Sequence, residues 1–85
     1  MQSVTECGQE RHGRRFHLVL TEGGACARIT IYEVYTHGAS LRTRTNLLSR
    51  YVEHAGSKRD YVNKRLSEYL DGLEREGLLK ARSSE

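Results

Sequence analysis

With 85 residues and a net charge of +3, the chain has room for one domain of ordinary soluble composition, 36% hydrophobic and 29% charged. No apolar run approaches the roughly 20 residues that span a bilayer, and the polar N-terminus lacks the apolar core of a signal peptide, so no membrane partner is expected. Two cysteines, Cys7 and Cys26, make no disulfide framework, which points to a reducing cytoplasm.

Residues 1–15 are polar, contain Gly8 and Gly13, show no periodicity and are expected to form a flexible N-terminal arm. Phe16-His17-Leu18-Val19-Leu20 reads as a short β-strand and begins a folded region over 16–82. The next apolar run, Ala25, Ala27, Ile29, Ile31, Tyr32, Val34 and Tyr35, has two readings. Residues 28–36 are rich in β-branched and aromatic types, and Gly23-Gly24 would join them to 16–20 as a hairpin. As a helix, the same run supplies the third helix that a helix-turn-helix pair needs to close its core, and His37-Gly38 ends it. The helix is taken here.

Ser40 to Thr43 then connects to a helix capped by Thr43 or Thr45. Leu47, Leu48, Tyr51, Val52 and Ala55 share one of its faces, and Gly56 ends it. Ser57 opens a second helix, with Asp60 completing a capping-box spacing. Val62, Leu66, Tyr69, Leu70 and Leu73 form its stripe, and Gly77 with Leu78 supplies a Schellman stop. Only Gly56 and Ser57 separate the two helices, so they should cross as a helix-turn-helix. Leu78 to Arg82 is a candidate strand, pairing with Phe16 to Leu20, and residues 83–85 should fray.

The charge is unevenly placed. Ser40 to Arg65 carries seven basic residues and two acids (7 − 2 = +5), whereas Leu66 to Glu85 carries three bases and five acids (3 − 5 = −2). Bases at a helix start and acids at its end oppose the macrodipole, so the arrangement favours a phosphate partner over a purely structural role.

Arg28-Ile29-Thr30-Ile31-Tyr32-Glu33-Val34-Tyr35-Thr36-His37-Gly38 and the closing run Leu66-Ser67-Glu68-Tyr69-Leu70-Asp71-Gly72-Leu73-Glu74-Arg75-Glu76-Gly77-Leu78-Leu79 carry a resemblance. The region from Thr21 to Arg82 resembles a winged helix-turn-helix domain of the small prokaryotic regulator type, as in bacterial, archaeal, phage or plasmid transcriptional regulators. The stop of the chain soon after Leu79 departs from that pattern, because no second wing strand follows. The resemblance implies a mainly α fold with a small β element, three helices and a truncated wing.

It also implies sequence-specific binding of double-stranded DNA by a homodimer in transcription regulation, with helix 58–76 in the major groove. Lys58, Arg59, Tyr61, Asn63, Lys64 and Ser67 would contact bases. Arg42, Arg44, Thr45, Asn46, Arg65, Lys80 and Arg82 would contact phosphates. The alternative from another class is a winged-helix assembly module that binds protein, for which Tyr32, Tyr35, Tyr51, Tyr61 and Tyr69 offer aromatic surface. No enzyme is expected: there is no glycine-rich phosphate loop, no paired-cysteine motif and no nucleophile motif. No cofactor, small-molecule substrate or metal is expected either, since Cys7, His12, His17 and Cys26 match no zinc spacing.

Overall fold

The computed structural model describes residues 3–48 and 56–79. Four antiparallel strands run in sequence order across one sheet: β1 (Ser3–Arg11), β2 (Arg14–Gly23), β3 (Cys26–Tyr35) and β4 (Gly38–Leu48). The helix α1 (Lys58–Arg75) follows and packs over β1 and, less extensively, β2.

Tight turns set the meander. Arg11 pairs with Arg14 across His12-Gly13, both with positive φ (55° and 75°), the requirement of a type I′ hairpin turn. Gly23 pairs with Cys26 across Gly24-Ala25, where Gly24 at φ 61° supplies the left-handed first position of a type II′ turn. A register shift between Ile31 and Tyr32 inserts Arg42 as an extra residue in β4, which bends that edge strand.

The core lies between the helix and one face of the sheet. Phe16, Leu18 and Leu20 from β2, Ala27, Ile29 and Ile31 from β3, and Val62, Leu66 and Leu70 from α1 are buried together, with Leu79 folded in beside them. Spacings of four in the helix and two in the strands place each set on one side of its element. The Ser57 hydroxyl accepts from the Asp60 amide, and the helix ends as its glycine dictates. Gly77 takes φ 74°, its amide donates to Glu74, and the Leu78 amide donates to Leu73 across 2.8 Å, the two bonds of a Schellman stop. Leu78 itself is exposed, and Leu79 is the residue that returns to the core.

This architecture corrects several expectations. The domain is mainly β with one helix among the described residues, and neither a helix-turn-helix nor a winged helix is present in them. Residues 28–36 form the middle of β3. Ala27, Ile29 and Ile31 alternate with Arg28 and Thr30 as a strand should, but Tyr32, Val34 and Tyr35 add apolar residues from both faces, and the whole run then resembles a helix face. Thr43 and Thr45 cap nothing: they lie in β4, whose strand continues through Leu48, and residues 49–55 of the expected helix lie outside the described residues. Ser3 to Arg11, read as part of an arm, is β1. Phe16 to Leu20 is a strand, but β1 and β3 occupy both its edges, so it has none left for residues 78–82. Leu78 and Leu79 adopt no strand, while Lys80, Arg82 and residues 83–85 lie outside the described residues.

Candidate nucleic-acid interface

The strand alternation divides the charged side chains between two faces. On the covered face they are engaged within the fold. Glu33, 1% exposed, receives two hydrogen bonds from Arg14, Nε and a terminal nitrogen each at 2.8 Å, and Arg42 approaches it at 3.7 Å. That bidentate bond holds the Arg14 guanidinium above its usual pKa, outweighing the opposite effect of burial. Arg14 also lies over the Phe16 ring, 5.7 Å from its centroid. Lys58 Nζ sits 2.8 Å from the buried Glu22 Oε1, yet that oxygen accepts no directed hydrogen bond, so the contact is electrostatic attraction between ions.

The helix is tied to the edge of β1 by polar groups. Gln9 Nε2 donates to Ser67 Oγ (2.8 Å) and to the Asn63 carbonyl (3.1 Å). Arg11 pairs with Asp71 at 2.7 Å and with Glu74 at 3.4 Å. The hydrogen bond to Asp71 is the main reason that the Arg11 pKa is raised. Of the residues expected to read bases from the helix, Ser67 therefore faces β1, Asn63 meets β1 through its main-chain carbonyl, and Lys58 faces Glu22. Asn63 Nδ2 donates to the Arg59 carbonyl one turn back, and Tyr61 packs against the core. Arg59 and Lys64 remain exposed, but Lys64 stands one turn from Asp60 and one turn from Glu68, so the local charge is mixed. The helix presents no basic face to a groove.

The opposite face of the sheet is covered by no described element. The pairing sets rows across it: Thr21 beside Arg28 beside Asn46, Val19 beside Thr30 beside Arg44, and His17 beside Tyr32 beside Leu41. Arg15 lies on the same face, next to Val34. Among the described residues Arg15, Arg28 and Arg44 have no ion-pair partner, and β2, β3 and β4 place no acid on this face. The acids of the face, Glu6 and Glu10, belong to β1, and Glu6 lies 2.8 Å from His17. Arg28 Nε reaches Asn46 Oδ1 at 3.4 Å, a weak bond that aligns the two side chains. A recess of about 250 Å³ opens beside them, lined by Thr21, Gly23, Cys26, Ala27, Arg28 and Asn46.

The expected phosphate contacts are thus scattered. Arg44 and Asn46 point to the open face, Arg42 toward Glu33, and Thr45 and Arg65 line a second recess of about 290 Å³ between β4 and α1. Arg15 and Arg28 are not among the site residues the sequence suggests; the signal for them is the strand alternation in stretches that read as an arm and a helix. No described helix is long and apolar enough to cross a membrane, and no group of three potential metal ligands occurs among the described residues.

No protein-family model matches the chain, and neither a curated protein nor a solved structure is significantly similar to it. The resemblance to winged-helix regulators is overturned by the four-stranded sheet.

Proposed function

We propose that this chain binds double-stranded DNA through the open face of β2 to β4 and acts in transcription regulation. The observation that carries the reading is the set of three exposed arginines, Arg15, Arg28 and Arg44, on a sheet surface that no described element covers; Glu10 of β1 stands opposite Arg15, and β2 to β4 place no acid beside Arg28 or Arg44. Cations with no carboxylate partner among the described residues can replace the counterions of a phosphate backbone. A duplex suits the face better than a single strand. Single-strand platforms stack successive bases on several aromatic rings, whereas Tyr32 and His17, the latter beside Glu6, are the aromatic rings on this face among the described residues. The role belongs in a reducing cytoplasm, in keeping with two free cysteines. A two-fold dimer would double the contact and extend it along the groove.

One observation favours the assembly-module reading. Val4, Leu41 and Leu48 lie on the same face with about half of their surface exposed (55%, 53% and 47%), apolar area that a protein partner would cover. Fluorescence anisotropy with mixed-sequence duplex, titrated with salt, separates the two. Duplex binding that weakens steeply with salt supports the DNA reading; no binding, or binding indifferent to salt, supports the protein partner. Light scattering on the same sample gives the mass.

A further inference from the structure

The geometry points to the recess at the β2–β3 turn as a base-reading subsite, in which Arg28, braced by Asn46, recognises a guanine. This inference rests on the DNA-binding reading above. It adds a distinction between the arginines that attract phosphate and the one that reads sequence.

Three observations converge on Arg28. It occupies the centre of a cross-strand row, with Thr21 on one side and Asn46 on the other. Its Nε faces Asn46 Oδ1 at 3.4 Å, so the two terminal guanidinium nitrogens remain to donate in parallel. Two parallel donors match the O6 and N7 acceptors of guanine in the major groove. With Oδ1 turned to Arg28, Asn46 keeps its amide N–H groups for an acceptor on the adjacent base. The recess of about 250 Å³ beside the pair provides space for a base edge, and the Thr21 hydroxyl adds a donor or acceptor at its wall. Arg44 and Arg15 are not among the residues lining that recess. They are placed to hold a backbone, a role without sequence information.

The exposed Cys26 lines the same recess and provides an independent reporter. A base edge seated there shields its thiol, whereas a duplex held only at Arg15 and Arg44 leaves it open to reagent.

The test is selection of binders from a randomised duplex pool with the wild type, Arg28→Lys and Asn46→Ala, together with Cys26 alkylation in the presence of an enriched duplex. Arg28→Lys keeps the charge but loses the planar fork. The wild type should enrich a guanine at one position. In Arg28→Lys that preference should fall about tenfold or more while affinity for mixed duplex and its salt slope stay within about twofold. Asn46→Ala should blunt the preference at the adjacent position and weaken it at the guanine. The bound duplex should slow Cys26 alkylation. Unchanged preferences in both variants, or full Cys26 reactivity in the complex, would overturn the base-reading subsite while leaving duplex binding intact. Failure of the wild type to bind any duplex overturns the underlying reading as well.

Discussion

The two faces of the sheet treat charge in opposite ways. Beneath the helix, Arg14 is committed to Glu33, Lys58 to Glu22 and Arg11 to Asp71 and Glu74. On the far face Arg15, Arg28 and Arg44 have no such partner among the described residues, and the surface between them is Thr, Val, Tyr and His17. The buried Glu33 and Glu22 carboxylates must be compensated within the fold, because an unpaired ion away from water costs several kcal/mol, whereas the Arg11 pairs lie at the solvated edge of the helix. Charge on an uncovered face has water for a partner and can exchange it for a ligand. The difference explains why basic residues that look equivalent in the sequence divide into structural and available sets.

Substitutions that break this contrast should differ in size and in kind. The largest effect is expected under the helix: Leu66→Ala, at a fully buried position, should lower unfolding free energy by about 3 kcal/mol in a urea titration. A loss below about 1 kcal/mol would mean that α1 does not pack as described. Arg14→Ala comes next, at about 2 kcal/mol. It strands the Glu33 carboxylate, but Arg42 stays nearby and Arg14 is itself partly solvated, so the cost falls below that of a fully buried pair. Adding Glu33→Gln should recover part of the loss; no recovery would show that the pair is not coupled. Gly77→Ala should cost about 1 kcal/mol, because a Cβ is strained at φ 74° whatever the space around it.

Arg44→Ala should leave stability within about 0.5 kcal/mol while flattening the salt dependence of duplex binding by about 1. The smallest difference is chemical. Cys7 points toward the covered face, where burial pushes its thiol pKa up against the lowering influence of Arg59, while Cys26 is exposed. Alkylation followed by mass spectrometry near neutral pH should modify Cys26 first. Equal rates at both thiols would count against the sidedness of β1.

The sequence was readable where a local signal coincided with the tertiary role. Ser57, the stripe from Val62 to Leu70, and Gly77 define α1 because cap, period and stop all act within a few residues. Phe16 to Leu20 was likewise legible as a strand. β1 was not, because its covered-face residues include Thr5, Gln9 and Arg11, polar positions that leave no apolar alternation; Gln9 and Arg11 meet the polar flank of the helix. His12-Gly13 was its only strong mark, and a hairpin turn between two Arg residues is easily taken for a loop. β3 was misread for the opposite reason, apolar residues on both faces, even though its β-branched residues favoured the strand. The pull of an assumed helix pair outweighed that propensity. Of the site, Arg44 and Asn46 were named as DNA contacts, but for a helix start; their row with Arg28 depends on long-range pairing that spacing alone does not reveal.

The decisive measurement compares Arg44→Ala with Lys64→Ala in duplex anisotropy across a salt series, alongside the wild type. Binding through the open sheet face gives a weaker, flatter salt response for Arg44→Ala and an unchanged one for Lys64→Ala. Loss of binding in Lys64→Ala, with Arg44→Ala behaving as wild type, would place DNA on the helix and contradict the open-face interface.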